Sequence, residues 1–103
     1  MSVLENVLRE ELERIQSHIK SYERMLLPFP KGYVSIVTVR GARFGYLKWR
    51  EGDRIKSKYL GRESSPEVAE AKERYLERRR IEKNLKIAKE EQKKLIKALR
   101  HYD

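Results

Sequence analysis

Beyond Pro66 the chain holds neither glycine nor proline for its remaining 37 residues. Nothing in that run interrupts a helix, and a continuous helix over residues 66–100 is about 52 Å long. A rod of this kind has no core of its own, so the rest of the chain must supply the surface that covers its apolar stripe. Ser64-Ser65-Pro66-Glu67 supplies a start, with Pro66 in the first turn and Glu67 at capping-box spacing from Ser64. Val68, Ala71 and Tyr75 open one seam; Ile81, Leu85, Ala88, Gln92, Leu95, Leu99 and Tyr102 continue it in a shifted phase. The shift falls near Arg78-Arg79-Arg80 and reads as a stutter in one helix or a bend between two. We place helix 2 at residues 65–101 and its bend, if it has one, at 78–80.

The covering surface is a second helix. Ser2 and Glu5 have capping-box spacing, and Leu8, Leu12, Ile15, Ile19, Tyr22 and Leu26 alternate by four and three, a heptad seam. Pro28 and Pro30 bracket Phe29 and end the helix near Leu27, which gives helix 1 at residues 3–27. Two such helices run antiparallel with their seams facing, coiled-coil-like. Helix 2 is longer by roughly ten residues, so Leu95, Ile96 and Leu99 are expected to be exposed. Leu85, Leu95 and Leu99 are accordingly the candidate oligomerisation residues of a homodimer formed through the helices.

Between the helices the apolar period drops to two. Tyr33-Val34-Ser35-Ile36-Val37-Thr38-Val39 is rich in β-branched residues, and Gly41-Ala42 suits a two-residue type II′ loop. That loop sets Arg40 against Arg43, Val39 against Phe44, Val37 against Tyr46, Ile36 against Leu47 and Val34 against Trp49. A turn over Glu51-Gly52-Asp53 leads to a third strand, Arg54 to Leu60, and Gly61-Arg62-Glu63 ends the pattern. The expected fold class is α+β, one domain over 1–103: an N-terminal helix, a three-stranded antiparallel meander at 32–61, and a long C-terminal helix.

Charge selects among function classes. Lys plus Arg number 25 against 16 Asp plus Glu, a net charge of +9, which points to an anionic partner. Residues 28–61 alone carry eight cations and two carboxylates. With the turn read as above, Val34, Ile36, Leu47, Trp49, Ile55 and Tyr59 share a face toward the helices. Tyr33, Val37, Val39, Phe44, Tyr46, Lys48, Arg50, Arg54, Lys56 and Lys58 then share the other. The candidate nucleic-acid-binding residues are Arg40, Arg43, Phe44, Tyr46, Lys48, Arg50, Arg54, Lys56 and Lys58. The cations would neutralise phosphates and the rings would stack or make apolar contact. Double-stranded DNA is favoured over RNA as the partner; a sheet can enter a groove or hold bases flat, and single strands stay open. The bland reading is that strand lysines and arginines solubilise and guard an edge. Val37, Val39 and Phe44 suit a third reading, an apolar patch for another protein. Arg78-Arg79-Arg80 spreads most of the way round a helix, so it reads as a solvated stretch.

Chemistry-bearing constellations are absent from the sequence. His18 and His101 have no partner at metal-ligand spacing, and Gly41-Ala42-Arg43-Phe44-Gly45 matches neither the GxxxxGK nor the GxGxxG pattern. Glu10, Glu11 and Glu13 lie beside no nucleophile or base from which a catalytic set can be assembled. No catalytic residue, metal or cofactor is expected, and the protein is not expected to be an enzyme. The absence of cysteine excludes disulfides and thiolate metal sites. The start, Met1-Ser2-Val3-Leu4-Glu5, lacks a basic n-region, and no apolar run approaches a membrane span. The expectation is a cytoplasmic protein, nucleoid-associated in a prokaryote, with no membrane partner.

The stretch Tyr46-Leu47-Lys48-Trp49-Arg50-Glu51-Gly52-Asp53-Arg54-Ile55-Lys56-Ser57-Lys58-Tyr59-Leu60-Gly61 resembles a meander ending in Lys-x-Lys-Tyr-Leu/Ile-Gly. That meander is found in a family of short, basic, uncharacterised prokaryotic proteins with a charged C-terminal helix, and it is similar to the N-terminal segment of some insertion-sequence transposases. The resemblance to transposases implies DNA contact and a link to mobile elements; the small-protein family implies no known activity. The leading expectation is a small basic protein that binds double-stranded DNA, largely through phosphates. The alternatives are a protein-interaction module or inhibitor from a virus or mobile element, acting through its helices or exposed strands, and an RNA-binding protein.

Overall fold

The computed structural model describes residues 2–29 and 31–103. Pro30, the second of the two prolines expected to close the first helix, lies outside the described residues. The elements run α1 (Val3–Leu26), β1 (Tyr33–Val39), β2 (Ala42–Glu51), β3 (Arg54–Arg62) and α2 (Pro66–Leu99), with a 3-10 turn at Arg100–Tyr102. This is an α+β fold with the element order expected from the change of period. The chain forms two compact units, residues 1–27 with 80–103, and residues 28–79.

The first unit is a helical hairpin. Ser2 Oγ accepts the Glu5 amide at 3.0 Å, while the Glu5 carboxylate accepts from Arg9 Nε at 3.1 Å one turn further on. Half of the expected capping box therefore forms, and its acid is engaged along the helix instead of reaching back. Ile15, Ile19 and Ala88 make the dry centre of the hairpin, with Tyr22, Leu85 and Leu95 packed against them. Arg9 near the start of α1 reaches Asp103 at 3.8 Å, which fixes the antiparallel direction. The expected overhang at the end of α2 is corrected here. The 24 residues of α1 are matched by residues 80–103, so Leu85 and Leu95 pack on the hairpin core and Leu99 is 6% exposed, while Ile96 is exposed as expected. The surplus length of α2 lies at its N-terminal half, in the other unit.

The second unit is the sheet, in order β1-β2-β3, with the first half of α2 on one side. Ser65, not Ser64, caps α2: its Oγ accepts the Val68 amide at 3.3 Å, and Pro66 takes the first helical position, where a missing N–H costs nothing. Val68 is fully buried, and a β-carbon placed on Gly45 would stand 2.5 Å from its Cγ2. Helix and sheet thus meet at a position where only glycine leaves room. Arg78 Nη1 donates to the Phe29 carbonyl at 2.6 Å and ties the entry of the meander to the same helix.

Both hairpins depart from the expected register. In the first, Val39 pairs with Ala42, Val37 with Phe44 and Val34 with Leu47, so the loop is Arg40-Gly41 and not Gly41-Ala42. Both loop residues have positive φ, 51° and 82°, as a type I′ turn requires; its twist matches that of the strands it joins. Each residue's partner moves by two, which leaves every side chain on its expected face. In the second hairpin the loop is Gly52-Asp53, and Glu51 pairs with Arg54, Trp49 with Lys56, Leu47 with Lys58 and Tyr46 with Tyr59. The loop is one residue shorter than the expected three, and an odd shift turns a strand over. Leu60 is then the extra residue of a bulge, after which Gly61 pairs with Gly45 and Arg62 with Phe44.

Candidate functional site

Pairing and alternation assign every strand side chain to one of two faces. The helix-side face carries Val34, Ile36, Arg43, Gly45, Leu47, Trp49, Glu51, Arg54, Lys56 and Lys58. Two of its four cations are ion-paired within the chain. Arg43 Nε lies 2.8 Å from Glu63 Oε2, and Lys56 Nζ lies 3.0 Å from Glu51 Oε2. The Trp49 indole N–H donates to Glu51 Oε1 at 2.9 Å. That bond, with the bond and charge of Lys56, holds the Glu51 carboxyl below the usual carboxylate range. A cleft of about 240 Å³ separates Leu47, Lys58 and Leu60 from Ala71, Arg74 and Tyr75 of α2. It falls short of the size of ordinary ligand pockets.

The opposite face carries Tyr33, Val37 and Val39 from β1, Phe44, Tyr46, Lys48 and Arg50 from β2, and Ile55, Tyr59 and Arg62 from β3. Tyr59 lies between two other rings, its centroid 5.4 Å from Tyr46 and 6.2 Å from Phe44, tilted by 57° and 49°. Tyr59 is 55% exposed and Ile55 61%, unusual for large side chains of a sheet. Lys48 and Arg50 sit on one side of the ring cluster and Arg62 on the other. Among the described residues, no carboxylate lies within ion-pair distance of these three cations.

Phe44, Tyr46, Lys48 and Arg50 share a face, as the alternation predicts. Arg54, Lys56 and Lys58 do not join them: the two-residue loop puts all three on the helix side. Arg43 is also on the helix side, in its ion pair with Glu63, and Arg40 occupies the first turn. The same inversion brings Tyr59 and Ile55 out to the open face, where the sequence reading had packed them on a helix. Tyr59 and Arg62 are thus the residues that reading missed. The signal was present in Gly52-Asp53, a dipeptide that closes a hairpin by itself when glycine takes the positive φ, here 59°.

His18 lies on α1, edge-on to Tyr22 at 6.3 Å. Among the described residues no three His, Asp or Glu side chains are arranged to hold a metal ion, and no helix is long and apolar enough to cross a membrane. Residues 2–70 match the family described as a domain of unknown function (DUF6788), a span that covers α1, the whole meander and the first turn of α2. No curated protein and no solved structure matches the chain.

Proposed function

The chain belongs to the DUF6788 family, whose matched span includes all three strands, and from the side chains of the meander's open face we propose that it binds nucleic acid there. One observation carries the reading: Tyr59, 55% exposed, packs against the half-buried rings of Phe44 and Tyr46, and the same sheet surface carries Lys48, Arg50 and Arg62, which have no ion-pair partner among the described residues. Rings offer a surface that any base can meet, and cations without internal partners are the ones able to replace counterions on phosphate. On the helix side, by contrast, binding phosphate would first require Arg43 and Lys56 to give up their carboxylates.

The test is fluorescence anisotropy with labelled oligonucleotides across a salt series. The parent is compared with an open-face triple variant, Lys48→Glu, Arg50→Glu and Arg62→Glu, and with a helix-side triple, Arg54→Glu, Lys56→Glu and Lys58→Glu. Both triples change the net charge equally. The open-face triple is expected to lose most of the affinity and to flatten the log–log salt slope by about 0.7–0.9 per phosphate contact removed. No binding by the parent at low salt, or equal damage from the two triples, overturns the reading.

Val37, Val39 and Ile55 extend the open face with aliphatic surface, which favours docking of a protein as the second reading. Binding of that kind survives several hundred millimolar salt, where phosphate-driven binding does not.

A further inference from the structure

Resting on the nucleic-acid reading, we infer that the ligand of the open face is a single strand, held by unpaired bases stacked on the Tyr59-centred ring cluster. Three features of the face select a single strand over a duplex. The first is where the rings lie. Phe44, Tyr46 and Tyr59 occupy neighbouring positions of β2 and β3, with Lys48 and Arg50 following Tyr46 along β2 and Arg62 beside Phe44 on β3. In a duplex the bases are stacked on one another and only their edges are offered, so these rings would meet sugar and phosphate. In a single strand the bases splay out and the rings receive their faces, while phosphates run past the cations.

The second feature is width. A major groove of about 12 Å admits a helix or a two-stranded ribbon, whereas this face is three strands wide and bears bulky side chains on all three. The third is the number of cations. A duplex-binding surface gains affinity mainly from many phosphate contacts, and the register leaves three cations on the open face after removing Arg54, Lys56 and Lys58. Successive same-face positions along a strand are about 6.7 Å apart, and neighbouring strands about 4.8 Å. Lys48 is therefore one step along β2 from Tyr46, and Arg62 lies directly across from Phe44. A base on Tyr59 has a cation within one step of the cluster on either side.

The ligand chemistry is the unpaired base, which single-stranded DNA and RNA share. The experiment measures binding of the full chain to four probes of equal length at one salt concentration: single-stranded DNA, single-stranded RNA, matched duplex DNA, and an abasic deoxyribose-phosphate strand. The parent is expected to bind at least one base-bearing single strand more tightly than either the duplex or the abasic strand. Tyr59→Ala should lower that affinity about 5- to 150-fold, the range for loss of one base–ring stack, and leave abasic binding unchanged. Tyr59→Phe keeps the ring and should bind like the parent; circular dichroism checks that each variant is folded. If Tyr59→Ala fails to fold, the parent's preference for base-bearing over abasic strands still decides the matter. Equal binding of the abasic strand, or tighter binding of the duplex, overturns the single-strand inference while leaving nucleic-acid binding in place. Failure of every probe at low salt overturns both. The DNA and RNA arms identify which single strand is preferred.

Discussion

On one side of the meander Gly45 leaves room for Val68 to vanish from solvent, Arg43 and Lys56 are held by Glu63 and Glu51, and the Trp49 indole is bonded to the same Glu51. On the other side Tyr59 and Ile55 remain more than half exposed, and Lys48, Arg50 and Arg62 have no carboxylate partner among the described residues. The same three strands build both surfaces, and each carries cations. What separates them is that the helix side holds two of its four cations, Arg43 and Lys56, in ion pairs, whereas the open side holds none and adds an exposed ring. A net charge of +9 therefore overstates what is available to a ligand: much of the excess is spread over positions that the fold already uses or that lie on α2. The surface that combines the exposed Tyr59 ring with unanswered charge is the one with a reason to meet something else.

The comparison breaks most readily on the helix side. Gly45→Val pushes a branched side chain into Val68, and overpacking of this kind should cost about 1–3 kcal/mol of stability by chemical denaturation. Adding Val68→Ala to that chain should recover part of the loss, since the two sites share one space. Ile55→Thr on the open face should stay within about 0.5 kcal/mol of the parent. A loss at Ile55 as large as that at Gly45 would mean that the open face is covered in solution.

A smaller effect is expected at the turn that decides which way β3 faces. At Gly52 a β-carbon would meet nothing within 4 Å, so Gly52→Ala carries only the backbone cost of φ 59°, about 1–2 kcal/mol. A larger loss, or altered cross-strand contacts by nuclear Overhauser effects between Tyr46 and residue 59, would show that the loop length itself had changed.

The smallest expected effect is electrostatic. The Glu51 carboxyl titrates below its ordinary value in the folded chain, so its stabilisation is present above the unfolded value and is lost as pH falls through the folded one. Trp49→Phe removes the first of its two bonds and should move the Glu51 midpoint upward in a carboxyl NMR titration. An unmoved midpoint would assign the depression to Lys56 alone.

The helices were legible because their signals are local and redundant. Ser2, the four-three spacing from Leu8 to Leu26 and the run free of glycine and proline after Pro66 each point to the same elements. The shifted phase of the α2 seam was legible too, and it falls at the boundary of the two compact units at residues 79 and 80. Before it, Val68 and Ala71 serve the sheet; after it, Ile81, Leu85 and Ala88 serve the hairpin with α1. Which helix end carried the surplus length was less legible, since equal seams can be matched in more than one register.

The meander divides the lesson more sharply. Its strands and their alternation follow from the sequence, and misplacing the first turn did no harm because a slip of two preserves the faces. The second turn differed from expectation by one residue, and that inverted β3, taking Arg54, Lys56 and Lys58 off the candidate surface and putting Tyr59 onto it. The sequence by itself determined the elements, their order and the excess of positive charge, because helix and strand periods are written in nearest-neighbour spacing. Only the tertiary structure decided which cations are neutralised and which rings gather, because strand facing depends on loop parity and ion pairing depends on residues distant in the chain, as Arg43 does on Glu63.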